Sequence, residues 1–206
     1  ELARFFGLPL SSVRVISKYM GGGYGSKIDP NKHTVIAAIL ARGTACPVKA
    51  SLTREESFLC VGNRPANKIT LKAGVKKDGT LTAFDAVLVG SGGAYPTYSG
   101  SLYQVVRLYL CANARGKMTD VFTNAGLGRA MRAPGFPPCS WALEQMMDAL
   151  AEKIGMDPVE FRLRHLSDAR ARQVIETAAR LSAWRSGSAR GKGAAGGPIM
   201  PGARPA

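Results

Sequence analysis

Apolar and polar positions along this chain follow two different periods. Lys68 to Val75 alternates strictly, with Ile69, Leu71, Ala73 and Val75 on one face and lysines and threonine between them. Alternation of this kind marks a half-buried strand. Asp78-Gly79 follows as a tight-turn signal and Leu81 to Val89 returns, so the pattern predicts a hairpin, broken at Gly90-Ser91-Gly92-Gly93. Further on the period lengthens. Leu143, Met146, Met147, Leu150 and Ile154 share one helical face, which predicts a helix over about 140–154 closed by Gly155. Asp157-Pro158 supplies an N-cap and an N1 proline for a helix through Leu166, and Ala169 to Leu181 reads as another.

The first third is less regular. Residues 1–7 read as the end of a helix stopped by Gly7 and Pro9, and Val13 to Met20 as a strand. Asp29-Pro30-Asn31 starts a helix over 32–42, with Val35, Ile36, Ala38, Ile39 and Leu40 as a broad apolar stripe and Gly43 at its end. Pro47 to Thr53 reads as a strand, which would allow a parallel strand–helix–strand pair. Gly116 to Thr123 predicts a further strand, and 124–138 reads as irregular, with three glycines and three prolines. The expected class is α+β: a mixed sheet using Val13–Met20, Pro47–Thr53, Lys68–Val75 and Leu81–Val89, packed by helices.

Composition narrows the function. The chain has 206 residues and an apolar fraction of 46%, enough for one sizeable domain, or one and part of a second. No run of 18 apolar residues suggests a membrane span. It opens on Glu1 without a methionine or signal sequence, which reads as a piece of a longer polypeptide and leaves the compartment illegible. A net charge of +14 raises nucleic acid as a partner, but its distribution argues against one. From Arg162 onward nine Lys/Arg face two acids, Asp168 and Glu176, and no zinc-finger, RNP-type or helix-turn-helix signature is present. After Trp184 the composition is Gly, Ala, Arg and Pro, which predicts disorder. Cys46, Cys60, Cys111 and Cys139 form no C-x-x-C pair, and His33 and His165 are far apart, so the expected state is free thiols with no zinc or iron–sulfur site; nor is a flavin site expected in this chain.

Two loops carry the candidate chemistry. In Met20-Gly21-Gly22-Gly23-Tyr24-Gly25-Ser26-Lys27 four glycines occupy five positions directly after an apolar run. Such a loop lets another surface approach the backbone, often an anion or a flat cofactor. The order Ser26-Lys27 is reversed from a nucleotide-triphosphate loop, and Ser26 stands where a dinucleotide loop needs glycine; a Gly-rich surface turn stands equally open. The second loop is Leu127 to Gly135, in which Arg132 precedes Ala133-Pro134-Gly135. Arginine offers a planar fork of donors for phosphate, carboxylate or an oxo group. Taken alone, an exposed arginine in a connection is the simpler account.

Read in series, these loops with Leu52-Thr53-Arg54-Glu55-Glu56, Asn63-Arg64-Pro65, Gly92-Gly93-Ala94-Tyr95, Glu144-Gln145-Met146-Met147-Asp148 and Gly155-Met156-Asp157-Pro158 strongly resemble the molybdopterin-binding large subunit of the xanthine dehydrogenase / aldehyde oxidase family. The resemblance covers about residues 1–166, expected to be a partial molybdopterin-binding domain. Residues 167–206 are expected to be a helix and a basic tail, either disordered or the start of a second domain. It implies a molybdenum hydroxylase, which inserts water-derived oxygen into an aldehyde or N-heterocycle and passes electrons to iron–sulfur and flavin partners or a cytochrome. It also implies that Gly23, Tyr24 and Gly25 present backbone to the molybdenum centre, and that Met131, Arg132 and Ala133 lie at the cofactor and substrate mouth. Ile28 stands where purine-oxidising members carry a glutamate, and Met131 and Pro134 where they carry aromatic residues, so xanthine is not the expected substrate. The family's upstream Thr-Gln motif and its distant catalytic glutamate are not within these 206 residues; Glu55 and Glu56 read as solvated or ion-paired. The chain is expected to be inactive alone. The alternative implied is a non-catalytic, degenerate domain that packs against partner subunits.

Overall fold

The computed structural model describes residues 1–97, 99–102 and 107–184. They divide into two units, one of residues 1–66, 91–99 and 121–133, the other of residues 67–90, 100–120 and 134 onward. The expectation of disorder after Trp184 lies outside the described residues.

In the second unit β1 (Asn67–Val75) and β2 (Leu81–Gly93) form the predicted hairpin, antiparallel, with Ile69 opposite Leu88 and Leu71 opposite Ala86. Gly79 closes the turn at φ +89°, its N–H donating to the Lys76 carbonyl at 2.9 Å. A bulge then shifts the register: Gly74 pairs with Ala83 but Val75 with Leu81, leaving Thr82 unmatched. One extra residue reverses the side-chain parity, which is why Leu81 and Phe84, three apart, are both buried. β3 (Ala114–Phe122) lies on the other side of β2. It runs parallel: Phe84 N–H donates to Asn113 and Asp85 pairs with Arg115, while Thr123 N–H donates to Gly93. The sheet is therefore mixed and the class α+β, as expected. β2 does not break at Gly90 as the glycines suggested but continues to Gly93.

Helix α4 (Phe136–Ile154) packs across β1 with Leu143, Met147, Leu150 and Ala151 buried. It starts four residues before the predicted 140, because Pro137 and Pro138 fall in the first turn, where no N–H is required. α5 (Pro158–His165) and α6 (Ala169–Leu181) follow, N-capped by the Asp157 and Asp168 carboxylates. Between α4 and α5 lies a buried polar network. Arg162 Nε donates to Glu144 at 2.6 Å, its Nη1 pairs with Asp148 at 2.7 Å, and Tyr109 donates its hydroxyl to Glu144 at 2.9 Å. Burial and the Glu144 charge push the Tyr109 phenol well above its usual range. The Glu-Gln-Met-Met-Asp segment noted in the sequence is thus structural, an acid pair positioned one helical turn apart for one arginine.

The first unit is thinner. It holds α1 (Leu2–Phe6), α2 (Lys32–Thr44) and α3 (Arg54–Cys60). Among its described residues Ala3 is the single buried apolar side chain. The predicted strands at Val13–Met20 and Pro47–Thr53 do not form, and with them goes the parallel pair. A strand needs a neighbour for its N–H and C=O groups, and no described residue pairs with either segment; Val15, Ile16 and Tyr19 are exposed. α2 runs one residue past Gly43. α3 was not expected. Its signal is the capping box Thr53-x-x-Glu56: Thr53 N–H donates to the Glu56 carboxylate at 2.7 Å and Glu56 N–H to Thr53 Oγ1 at 3.2 Å.

Candidate functional site

The glycine loop is built by local hydrogen bonds. Ser26 N–H and Oγ both donate to the Gly23 carbonyl, at 2.9 and 2.7 Å, which closes the turn. Asn31, buried at the start of α2, donates its amide to the Ser26 carbonyl at 2.6 Å and ties the loop to the helix. Gly22, Tyr24 and Gly25 all adopt positive φ. For Tyr24, at φ +49°, this is an unfavoured state for an L-residue, and held strain of this kind gathers at functional positions.

The second loop is anchored equally well. Arg129 N–H donates to the Asn63 carbonyl at 2.8 Å, Arg129 pairs with Asp29, and Arg64 Nη2 donates to the Arg132 carbonyl at 2.9 Å. Ala133 holds φ +55°. The two loops touch. A Cβ on Gly25 would overlap the Ala130 carbonyl oxygen outright, so glycine at 25 is what lets one loop sit on the other across 105 residues of sequence. Gly23 differs. Its φ is outside the left-handed region, and a Cβ there would meet only the Lys27 Cβ, at 3.7 Å.

The loops border one cleft of about 680 Å³, within the range of small-molecule sites. Its wall includes the glycine loop, the first turn of α2, residues 50–54, α3 and the second loop. Of the predicted site residues, Gly23, Tyr24 and Met131 line it. Gly25 lies under the loop contact, while Arg132 and Ala133 fall outside the lining. Lys27, His33, Arg54 and Asn63 also line it, and sequence reasoning gave the last three no role. His33 carries a further peculiarity: its Nδ1 is shielded from solvent and has no hydrogen-bond partner. Among the described residues no carboxylate lines the cleft. Glu56 is occupied by its cap, and that hydrogen bonding from Thr53 holds its carboxyl below the usual range. Glu55 stays exposed on α3.

The chain's own packing does not call for glycine at 23, yet Gly23 faces the cleft, where the lack of a side chain leaves backbone accessible. Among the described residues no helix is long and apolar enough to cross a membrane.

Comparison with known proteins shows the family of the chain. The family described as molybdopterin cofactor-binding domain matches residues 1–166. The chain is 39% identical over 166 residues to the xanthine dehydrogenase molybdenum-binding subunit of Escherichia coli O157:H7, covering 78% of this chain and 22% of that one. It is 36% identical over 163 residues to the aldehyde oxidoreductase molybdenum-binding subunit of Escherichia coli K12, covering 79% and 22%. Among solved structures, the aldehyde oxidoreductase of Desulfovibrio gigas superposes with a TM-score of 0.71 at 29% identity, covering 79% of this chain and 20% of that one. The chain thus spans about a fifth of the length of the curated relatives it matches.

Proposed function

The chain belongs to the molybdopterin cofactor-binding domain family of the xanthine dehydrogenases and aldehyde oxidases, and on that premise we propose that it forms one wall of the cofactor site in a molybdenum hydroxylase. The observation that carries the reading is the seating of Gly25 beneath Ala130, which joins the two loops beside a cleft that Gly23 lines. When bound, molybdopterin would supply the two-electron redox chemistry that inserts water-derived oxygen into an electron-poor carbon. The chain's part is positional. Gly23 and Tyr24 present backbone to the group, Gly25 fixes the loop on its partner, and Met131 borders the mouth. Arg132 and Ala133 complete the proposed contacts; Arg132 has its carbonyl held by Arg64, which leaves its guanidinium to orient material at the mouth.

The substrate class is an aldehyde or N-heterocycle. Ile28, exposed and apolar, offers no carboxylate to anchor a purine, which supports a substrate other than xanthine; the 39% identity to a xanthine dehydrogenase subunit concerns the shared domain. Among the described residues that line the cleft no carboxylate is placed to move a proton from a bound oxygen, which supports a general base, and iron–sulfur and flavin partners, supplied by other polypeptide. The test uses the complete subunit carrying this chain, purified from a host that makes the cofactor. Near-stoichiometric molybdenum and oxidation of an aldehyde or heterocycle panel with an artificial acceptor are expected. A subunit that folds but holds no metal would favour the scaffold alternative.

A further inference from the structure

We propose that residues 13–20 are a docking strand: in the complete subunit a β-strand of polypeptide outside these 206 residues pairs with them and so fixes the glycine loop into which they lead. The proposal rests on the family reading for the existence of that further polypeptide. Three observations carry it. First, the segment is built for a strand. Val13, Val15, Ile16 and Tyr19 are β-branched or aromatic, and no glycine or proline falls between Ser11 and Met20. Val13 is extended, at φ −116° and ψ 117°. Second, its backbone has no protein partner. Among the described residues no backbone hydrogen bond reaches residues 14–20; the nearest run from Val13 N–H to the Leu10 carbonyl and from Ser26 N–H to the Gly23 carbonyl. Third, its apolar side chains are bare. Val15 is 77% exposed, Ile16 62%, Tyr19 96% and Met20 60%, in a unit whose single buried apolar side chain among the described residues is Ala3. Contiguous apolar exposure of this kind marks a surface that meets a partner.

An added strand answers all three at once. Its backbone pairs with the N–H and C=O groups of residues 14–20, and its side chains cover alternate positions. Length and charge argue for its source. The chain spans about a fifth of the curated relatives it matches, so a subunit of their size holds several times more polypeptide. A second copy fits badly. Paired antiparallel about Ile16, it sets Arg14 opposite Lys18 at both ends; paired parallel in register, it sets each cation against itself. The consequence is positional. Met20 is followed directly by the loop in which Gly23 and Tyr24 line the cleft. Pairing of residues 13–20 therefore anchors that loop from its N-terminal side, as Asn31 does from the other.

Hydrogen exchange by mass spectrometry over residues 13–20 is compared in the 206-residue chain, in the molybdenum-loaded subunit, and in the same subunit from a host that makes no cofactor. Free exchange in the chain, and exchange slowed at least about tenfold in both forms of the subunit, is expected. Free exchange in the subunit overturns the proposal. So does protection confined to the loaded form, which assigns the ordering to the cofactor. Protection in the chain itself overturns it too; a rise with concentration would assign the segment to a second copy. A subunit that never takes up molybdenum sinks the cofactor reading alone, because the cofactor-free comparison still stands. Val15→Pro and Ile16→Pro test for backbone pairing. Adjacent N–H groups point to opposite edges of a strand, so one of the two removes a donor to the added strand. At least one should abolish the protection, while Ile16→Ala, which keeps the N–H, retains most of it; protection that survives both prolines excludes a strand. The partner is located with a photoreactive p-benzoylphenylalanine at position 18 of the otherwise native subunit. A crosslink to the same polypeptide outside these 206 residues is expected; one to another subunit, or to these 206 residues alone, overturns the proposed occupant.

Discussion

Two glycines two residues apart should respond oppositely to the same substitution. At Gly25 an alanine Cβ lands on the Ala130 carbonyl oxygen and only 3.3 Å from Met131 N, and the residue is held at φ +86°. Left-handed backbone costs a residue with a Cβ about 1–2 kcal/mol, and overpacking adds about 1–3 kcal/mol. The loops can relieve the overlap only by separating about 2 Å, toward ordinary contact near 3.5 Å. Gly25→Ala should therefore release the loop contact, about 2–5 kcal/mol, in the chain with nothing bound. At Gly23 the same Cβ finds 3.7 Å of room and an unstrained φ. Gly23→Ala should leave the chain's own stability within about 0.5 kcal/mol, as a surface change does, yet lower the molybdenum content of the loaded subunit, because the Cβ intrudes where backbone must be reached. Hydrogen exchange by mass spectrometry over residues 20–31 and 125–133 reads the first effect; metal analysis reads the second. Unchanged exchange in Gly25→Ala would remove the loop contact from the argument. Full metal loading in Gly23→Ala would show that the cofactor does not require glycine there.

Arg162→Ala leaves Glu144 and Asp148 on α4 without their cation. Because the Arg162 side chain is 4% exposed, the expected loss is about 3–5 kcal/mol in denaturant unfolding, and a loss below about 1 kcal/mol would make the network incidental. The carboxyls of Glu56, Asp78 and Asp85 are lowered, the first two mainly by backbone hydrogen bonds from Thr53 and Thr80 and the third by Arg115. Groups lowered in the folded state stabilise above their unfolded pKa. That stabilisation should be intact at neutral pH and fade as the pH falls below about 4; thermal melts that improve on acidification would contradict it. Cys46 and Cys60 are exposed and should react promptly with a thiol reagent, whereas Cys139 is buried, its thiol raised by that burial, and should react only on unfolding.

Local signals were enough to place much of the fold. Alternation around Asp78-Gly79 gave the hairpin, and the helices from Asp157 and Asp168 were legible because each cap bonds to N–H groups two and three residues away. The series of short motifs also sufficed for the family. Strands at Val13–Met20 and Pro47–Thr53 could not be settled this way, since a strand exists only where another chain segment takes up its hydrogen bonds. Nor could sequence separate the glycines: Gly23 and Gly25 read alike until Ala130 arrives above one of them. The Thr82 bulge, the Glu144–Arg162 pairing and the unpartnered nitrogen of His33 are likewise products of distance in space rather than in sequence. Periodicity and capping depend on neighbours within about four residues. Close approach, burial and charge balance depend on what folding brings together, and in this chain those decide the site.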